Sequence, residues 1–398
     1  MRPSTDVDPL AACWVRATLS PLPGKKSGLI LRKRILYYYG ALHLDTGSPR
    51  ALIGLVESLD RRRYQPLFLA SSVGPLVNRL RELDVEILRG SVEGVTLRRP
   101  LAAGRRITAQ AVFLARHRVD LVHVNELGWN QDLVLGARLI GRPAVLHIHN
   151  TCDLGGRNLN PWAASRVLTV SSAQTEKLGQ FDRISHKHSV VPNAIDVERI
   201  REGTNIRETL GIPPGAKVIG TVAQLREEKG IRTLVEVAAK IAATHPDVIF
   251  LVAGRVVPGK EDFADEMLAL CERLNLQNRV RFLGSRDDIP NFLRTIDIFF
   301  FPTHGETFGM ALVEAMAAGR PVVASRVDAI PEIVGSELNG YLFTPKDAGE
   351  AAAALVEILG QDDLGQAMGR RAQASVFGRY DRTAVSRLLT DLYDQLLG

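Results

Sequence analysis

Short apolar segments alternate with longer segments of helical periodicity along most of this 398-residue chain. The short segments are apolar at nearly every position, which is typical of strands buried on both faces of a parallel sheet. A helix is predicted over residues 49–59. In the first half of the chain the predicted strands are residues 35–39, 66–70, 85–88, 121–124, 144–148 and 167–170.

The same rhythm restarts in the second half, after Val191 and Pro192. Between the halves, residues 196–215 are charged and then rich in proline and glycine, as expected of a linker. The predicted strands of the second half are residues 218–222, 248–253, 280–283, 296–301, 321–324 and 341–343. The chain is therefore predicted to be an α/β protein with two doubly wound, Rossmann-like domains that face a central cleft. In such sheets, ligands bind beyond the carboxyl ends of the strands.

The predicted organisation begins with a loose extension over residues 1–30, which holds prolines and a glycine without clear periodicity. The first domain is predicted over residues 31–200 and the second over residues 201–378. A chain of this length allows each domain to bury its own core.

The composition is that of an ordinary globular protein, with 45% hydrophobic and 24% charged residues. No apolar run approaches the roughly 20 residues that span a bilayer, and the N-terminus lacks the continuous apolar core of a secretory signal. Three widely spaced cysteines argue against a disulfide framework and for a reducing, cytoplasmic compartment. A net charge of +6 favours anionic partners such as nucleotide phosphates, lipid head groups or nucleic acid.

The stretch HGETFG at residues 304–309 carries one carboxylate, Glu306, and is followed by a second at Glu314. It opens a helix predicted over residues 310–318, whose first free backbone N–H groups suit an anion such as a diphosphate. The two carboxylates can accept hydrogen bonds from the paired hydroxyls of a sugar and a ribose. From the spacing alone, two merely solvated glutamates are an equally good interpretation.

Two further side chains follow predicted strands, where the fold places its cleft. Lys229 precedes the helix predicted over residues 231–243 and can offer its charge to a phosphate, and His149 can hydrogen-bond a substrate hydroxyl. The alternatives are a solvated lysine, flanked by two glutamates, and a structural histidine. His147, His149 and Cys152 lack the paired spacing of a zinc site, so a metal is not expected.

The loop from Gly40 to Gly47, between the first strand and the first helix, could approach a ligand closely. It contains neither G-x-G-x-x-G nor G-x-x-x-x-G-K-[ST], so neither dinucleotide binding nor a phosphate loop is indicated. The other interpretation is a simple helix start, in which Ser48 caps the helix and Pro49 occupies its first position.

Taken together, these features resemble the retaining family 4 glycosyltransferases of the GT-B fold. The resemblance covers most of residues 34–398 and is specific in the second half. It implies that residues 379–398 form a helix that crosses back to the first domain. The motifs that carry it are VPNAID at 191–196, KG at 229–230, VRFLG at 280–284, DI at 297–298, the Glu306 and Glu314 block, and GYL at 340–342.

The resemblance implies a role for each candidate residue. Lys229 would bind the donor diphosphate, and Glu314 would hold the ribose. Glu306 and His149, the catalytic candidates, would contact the transferred sugar. Backbone N–H groups at Phe308 and Gly309 would meet the diphosphate or the sugar.

The remaining implied positions include two departures from the family pattern. Arg286 lies where the family's backbone meets the base. Where the family has arginine before the lysine, this chain has Gln224, and Arg226 is the candidate substitute. The family's Gly-Gly loop is altered here, and the predicted acceptor-side loop reads Thr46, Gly47, Ser48.

The implied activity is transfer of a sugar from a nucleotide-sugar donor to a glycan or lipid-linked acceptor, with retention of anomeric configuration, in cell-surface polysaccharide or glycolipid synthesis. The only Asp-x-Asp motif, residues 6–8, lies far from the donor motifs, so Lys229 and helix N-termini are expected to replace a divalent ion. No cofactor and no nucleic acid partner are expected. A nucleotide-sugar epimerase on the same fold and a non-catalytic sugar-binding subunit are the alternatives.

Basic clusters recur along the first domain. Many members of the family use lipid-linked or membrane-surface acceptors, so one interpretation is peripheral, salt-reversible association with the anionic inner face of the plasma membrane. Because the clusters are separated in sequence, a scattered, solvated surface is an equally good interpretation. The clusters are Arg32, Lys33 and Arg34; Arg61, Arg62 and Arg63; Arg98 and Arg99; and Arg105 and Arg106.

Overall fold

The computed structural model describes residues 32–44, 47–95, 99–126, 130–150, 160–178 and 181–398. Within them the chain builds two α/β domains, each on one sheet in which every strand pair is parallel. The predicted fold class is confirmed. The predicted extension over residues 1–30 lies outside the described residues.

The first sheet has seven strands in the order β3-β2-β1-β4-β5-β6-β7. Its strands are β1 (Lys33–Tyr38), β2 (Tyr64–Ala70), β3 (Glu86–Arg89), β4 (Leu121–Val124), β5 (Ala144–Ile148), β6 (Arg166–Thr169) and β7 (His188–Val190). The first six overlap the predicted strands. Strand β7 was not predicted, because its residues His188, Ser189 and Val190 are half-buried and do not form an apolar run.

Six helices of the first domain are described. They are α1 (Gly47–Ser58), α2 (Pro75–Glu82), α3 (Pro100–Arg116), α4 (Gln131–Leu139), α5 (Asn160–Ala163) and α6 (Ser172–Glu176). Proline opens α2 and α3, at the position where its missing N–H costs no hydrogen bond. Ser171 caps α6, since its hydroxyl accepts the N–H of Gln174 at 3.0 Å.

The second sheet has six strands in the order β10-β9-β8-β11-β12-β13. Its strands are β8 (Lys217–Val222), β9 (Val248–Ala253), β10 (Val280–Phe282), β11 (Ile298–Phe301), β12 (Val322–Ser325) and β13 (Tyr341–Phe343). The remaining helices are α7 (Val197–Arg201), α8 (Ile231–Ala242), α9 (Glu261–Arg273), α10 (Ile289–Thr295), α11 (Met310–Ala317), α12 (Ile330–Val334), α13 (Ala348–Leu359), α14 (Asp362–Val376) and α15 (Arg382–Leu397). All six predicted strands of this half are present.

The segment predicted as a linker, residues 196–215, is folded onto the second domain. It contains α7, whose Val197 and Ile200 are buried in the core beneath the second sheet. The chain passes between the domains a second time near its end, and the two passages meet where the Ile195 N–H donates to the Tyr380 carbonyl at 2.8 Å.

The last helix, α15, packs back on the first domain, as the resemblance implied. Val385, Leu389 and Tyr393 are buried in the same core as the first sheet. The Tyr393 hydroxyl lies 3.1 Å from the Tyr37 hydroxyl and 2.6 Å from Nδ1 of His123. This helix therefore fastens the end of the chain beneath the sheet that carries His149.

Each sheet reverses its strand order once near its middle, between β1 and β4 and between β8 and β11. Loops that follow strands on either side of such a reversal diverge, and the crevice between them is where open α/β sheets bind ligands. Both crevices open into one cleft between the domains.

Candidate active site

The cleft between the two domains has a volume of about 730 Å³. Eleven of the twelve predicted site residues line it: Gly47, Ser48, His149, Gln224, Arg226, Lys229, Arg286, Glu306, Phe308, Gly309 and Glu314. The twelfth, Thr46, lies outside the described residues. Residues that are scattered over the sequence therefore converge on one surface.

At the centre of the second-domain wall, Lys229 and Glu306 form an ion pair. Lys229 Nζ lies 2.6 Å from Glu306 Oε2, and each side chain is 17% exposed. Such limited exposure weakens solvent screening of the pair. A negatively charged ligand entering the cleft meets a cation that is already held in position by a carboxylate.

Local backbone geometry brings these two side chains together. Lys229 ends a single 3-10 turn that closes at Gly230, which has φ +68°. A Cβ on Gly230 would lie 1.8 Å from the Pro302 carbonyl oxygen, so only glycine lets the turn pack against the loop after β11. That loop is fastened in turn, because the His304 N–H donates to the Glu228 carbonyl at 2.8 Å.

The start of α11 presents backbone to the cleft. Gly309 precedes the helix with φ +99°, and no side chain caps the first N–H groups. The ring of Phe308 is buried against Tyr380, with centroids 5.5 Å apart, so this residue meets the cleft through its main chain. The positive end of the helix dipole and the Lys229 ammonium group therefore face the same space.

Glu314 lies in the second turn of α11 and lines the cleft beyond the ion pair. Burial of its carboxyl raises its pKa, and the positive charges of Arg50 and Arg199 oppose that shift. Arg50 is on α1 of the first domain and also lines the cleft. Glu314 is thus a carboxyl that both domains influence.

His149 stands on the opposite wall, at the end of β5. Its Nε2 lies 2.9 Å from Oδ1 of Asn125, whose Nδ2 donates to the Ser48 carbonyl at 3.3 Å. This chain of bonds assigns the proton to Nε2 and leaves Nδ1 as an acceptor, with the Asn193 side chain close to the ring. Burial, together with the proximity of His147 and His123, lowers the pKa of His149 well below its usual value, so the ring is neutral.

The remaining predicted donor residues lie on the rim of the second-domain wall. Arg286 holds Asp288 through two bonds of 2.8 and 2.6 Å, and its guanidinium lowers the pKa of that carboxyl. Arg226 Nε lies 3.7 Å from a carboxylate oxygen of Glu228, and its side chain is 38% exposed. Gln224 lines the same wall. Arg226 lines the cleft, and its role as a substitute for the family arginine stays a prediction.

The residues of the site that were not predicted include Asn125, Thr307, Arg50 and Asp328. Asn125 directly follows β4, and that position at a strand's carboxyl end was the available signal. Thr307 lies inside the HGETFG stretch and donates its hydroxyl to the His149 carbonyl across the cleft at 2.8 Å. Arg50 and Asp328 also line the cleft, and neither belongs to a motif.

Within the described residues, no three side chains of His, Cys, Asp or Glu converge in a way that could hold a metal ion. Cys271, on helix α9, is a buried free cysteine, and burial raises the pKa of its thiol to about 11. Cys13 and Cys152 lie outside those residues.

No helix in the described part of the chain is both long enough and apolar enough to cross a membrane.

Comparison with known families agrees with this architecture. Residues 46–199 match the family described as Glycosyltransferase Family 4, and residues 203–375 match Glycosyl transferases group 1. The chain therefore belongs to the family 4 glycosyltransferases of the GT-B fold, the family that its motifs resemble.

Several characterised proteins are similar to this chain. It is 32% identical over 234 residues to N-acetyl-alpha-D-glucosaminyl L-malate synthase of Bacillus anthracis, covering 58% of this chain and 60% of the relative. It is 32% identical over 226 residues to D-inositol 3-phosphate glycosyltransferase of Corynebacterium jeikeium, covering 54% of each. The chain thus spans little more than half the length of these two relatives. It is 28% identical over 296 residues to phosphatidyl-myo-inositol mannosyltransferase of Mycolicibacterium smegmatis, covering 72% of this chain and 74% of the relative.

Solved structures share the fold. A glycosyltransferase from Rickettsia africae superposes with a TM-score of 0.82 at 20% identity, covering 92% of this chain and 99% of that one. Anabaena HepE, solved in complex with UDP and glucose, superposes with a TM-score of 0.74 at 23% identity, covering 91% of this chain and 100% of that one.

Proposed function

We propose that this protein transfers a sugar from a nucleotide-sugar donor to a glycan or lipid-linked acceptor and retains the anomeric configuration. The observation that carries the proposal is the Lys229–Glu306 pair, 2.6 Å apart beside the uncapped start of α11, with His149 on the facing wall. An ammonium group, a helix N-terminus and a carboxylate match the chemistry of a diphosphate joined to a sugar.

In the proposed reaction, the bond between the anomeric carbon and the diphosphate breaks, and an acceptor hydroxyl bonds to that carbon on the same face. Lys229 and the backbone N–H groups at the start of α11 stabilise the charge that grows on the departing diphosphate. A phosphate oxygen takes the acceptor's proton. The protein contributes positioning and charge stabilisation, and no side chain needs to act as a nucleophile.

The sugar and ribose are held by hydrogen bonds. Glu306 accepts from hydroxyls of the transferred sugar, and Nδ1 of the neutral His149 accepts from another. Glu314 accepts from the ribose, further along the wall. Gln224, Arg226 and Arg286 border the space left for the rest of the nucleotide.

The acceptor is proposed to carry a phosphate or carboxylate. Three relatives are named for L-malate, D-inositol 3-phosphate and phosphatidyl-myo-inositol, and each of these compounds bears such a group. Arg50, on the first-domain wall, supplies a matching charge on the acceptor side of the cleft. Another relative is named for lipopolysaccharide core biosynthesis, which supports a role in cell-surface glycan or glycolipid synthesis.

Peripheral membrane association is proposed through α3. Its Leu101 is 85% exposed, and Val112 is 43% exposed on the same helix. Arg105 lies between them without an acidic partner among the described residues. Exposed apolar side chains beside basic ones suit the surface of an anionic bilayer.

The decisive experiment is a donor screen followed by product analysis. Thermal shift with a panel of nucleotide sugars identifies the donor, because a ligand that binds only the folded state raises the melting temperature. The identified donor is then incubated with acceptors bearing a phosphate or carboxylate. We expect a glycosylated acceptor, and the coupling constant of its anomeric proton should show the donor's configuration.

The same analysis separates the alternatives. An epimerase would convert the donor without any acceptor, and a non-catalytic subunit would bind the donor and release it unchanged. Inverted configuration in the product would refute retention while leaving transfer intact.

A further inference from the structure

Asp328, in the loop after β12, joins three parts of the cleft. Its Oδ2 accepts the backbone N–H of Glu306 at 2.8 Å. Its Oδ1 accepts from the Lys177 ammonium group, which belongs to the first domain. The loop is tied a second time, since the Ala329 N–H donates to the Glu306 carbonyl at 3.3 Å. One carboxylate thus connects the backbone of Glu306 to the opposite domain.

The backbone of Asp328 has φ +47°, in the left-handed region that disfavours side chains. Aspartate tolerates this region better than most residues, but glycine adopts it more readily. Both carboxylate oxygens of Asp328 are engaged, so this strained position carries contacts that glycine could not make. The conformation also makes glycine a clean replacement, because it removes the carboxylate without disturbing the backbone.

Lys177 lies among other contacts that join the domains. Ser171 donates its hydroxyl to the Thr307 carbonyl at 2.8 Å, and the Ser172 N–H donates to Glu332 at 2.9 Å. These bonds connect the region of α6 with the loop after β11 and with helix α12. The Lys177–Asp328 pair differs from them because the same carboxylate also holds the Glu306 N–H.

We propose that Asp328 is a positioning residue, which couples closure of the cleft through Lys177 to the placement of Glu306 beside Lys229. When the domains are together, Lys177 holds Asp328 and Asp328 holds the Glu306 backbone, so the catalytic carboxylate is aligned only in the closed form. The inference rests on the role proposed above for Glu306.

The test compares Asp328→Gly, Lys177→Met and the double variant with the wild-type enzyme. We expect Asp328→Gly to lower kcat about tenfold or more while changing donor affinity little, because misalignment of a catalytic group affects turnover first. Lys177→Met should have a smaller effect in the same direction. The double variant should match Asp328→Gly alone, since Lys177 acts through Asp328.

Matched controls exist in the same chain. Asp84 is exposed and has φ +55°, so Asp84→Gly repeats the substitution in the same backbone conformation away from the cleft. Lys217 pairs with Asp362 at 2.7 Å on the surface, so Lys217→Met removes an ion pair remote from Glu306. Both controls should keep kcat within about twofold of wild type.

A second readout does not depend on activity. Hydrogen exchange of the Glu306 amide should be faster in Asp328→Gly than in wild type, because its acceptor has been removed. If wild type transfers sugar and Asp328→Gly keeps full kcat, the inference is wrong while the proposed function stands. If wild type transfers no sugar, the proposed function fails. Whatever the activity, equal exchange rates of the Glu306 amide in wild type and Asp328→Gly would overturn the inference. Additive losses in the double variant would refute the coupling through Lys177.

Discussion

Glu306 and Lys229 neutralise each other in the cleft, and this pairing decides how each should respond to mutation. A donor diphosphate would compete with Glu306 for the Lys229 ammonium group, while its sugar would offer hydroxyls to Glu306. Removing the Glu306 charge therefore has two opposing effects on donor affinity. The loss of the contacts to the sugar lowers the affinity, whereas release of Lys229 from its ion pair raises it. In kcat, no comparable gain offsets the loss of the contacts to the sugar.

The two carboxylates should consequently behave differently. We expect Glu306→Gln to lower kcat about tenfold to a hundredfold with a small change in donor affinity, since hydrogen bonds to a charged partner contribute about 1.5–3 kcal/mol. Glu314→Gln should mainly raise the donor dissociation constant, because its proposed partner is the ribose. Steady-state kinetics and calorimetric titration of both variants check this. Near-normal values in both would remove the site assignment.

Lys229→Ala should raise the donor dissociation constant about tenfold or more, since a charge-assisted contact to phosphate is lost. Its free energy of unfolding is measured in parallel, because Glu306 loses its ion-pair partner in this variant. Lys217→Ala, which removes a surface ion pair, is the matched control. Arg226→Ala should weaken binding only if Arg226 has taken the place of the family arginine. Equal donor affinity in wild type and Lys229→Ala would refute the phosphate role.

Because Lys229 and the start of α11 are proposed to replace a divalent ion, transfer should persist in excess chelator. The rate with chelator is compared with the rate after Mg²⁺ or Mn²⁺ is added back. Complete loss in chelator, restored by the ion, would show that the reaction depends on a metal.

At the scale of elements, a buried row of histidines underlies the wall of the cleft that carries His149. His123 on β4 and His147 on β5 have ring centroids 5.5 Å apart, and His147 lies 4.4 Å from His149. Tyr393 of α15 bonds His123 from below. The last helix therefore supports the wall that carries His149, although it is remote from the cleft in sequence.

This row predicts a loss of stability in mild acid. Burial lowers the pKa of His147 to about 4, whereas an unfolded histidine titrates near 6.5. Above pH 6.5 neither state binds the proton; between about 6.5 and 4 only the unfolded state does, so the free energy of unfolding falls as pH falls. Each such histidine contributes about 1.4 kcal/mol per pH unit in that window.

Urea unfolding at several pH values between 7.5 and 5 measures this slope. His147→Gln keeps a donor for the Val191 carbonyl, which His147 Nε2 contacts at 3.1 Å, and removes the titrating ring. We expect a shallower slope in this variant. Parallel slopes in wild type and variant would contradict the assignment.

At the scale of the whole molecule, the basic clusters of the first domain are not equivalent. Arg62 pairs with Asp60, Arg63 with Asp394, Arg34 with Glu86 and Arg106 with Glu93. These local pairs reduce the positive charge that several clusters present to a surface. The face of α3 with Leu101 and Arg105 keeps both an apolar side chain and an unpaired charge within the described residues.

Wild-type protein should therefore sediment with anionic vesicles at low salt and be released by added salt, since each basic side chain near such a surface contributes about 1 kcal/mol. Leu101→Ser combined with Arg105→Glu should abolish binding, whereas Arg62→Glu, at an exposed arginine paired with Asp60, should not. Absence of wild-type binding at low salt would remove the membrane proposal, and equal loss in both variants would refute the role of α3.

The sequence alone determined the two-domain α/β architecture and the positions of most strands, because apolar runs and helical periods are local properties. It also located the chemistry, since residues that follow parallel strands share one edge of a sheet wherever the strands pair. This is why His149, Lys229 and Glu306 could be singled out before any contact between them was known.

Only the tertiary structure decided which partners these residues have. The Lys229–Glu306 pair joins positions 77 residues apart and depends on a glycine turn packing against the loop after Pro302. Lys177 and Asp328 meet across 151 residues and two domains, and no periodic pattern encodes such a contact. Strand β7 and the packed segment at 196–215 depend likewise on neighbours supplied by distant parts of the chain. Long-range packing is set by the combined shape of both domains, whereas a sequence pattern reports only the environment of its own segment.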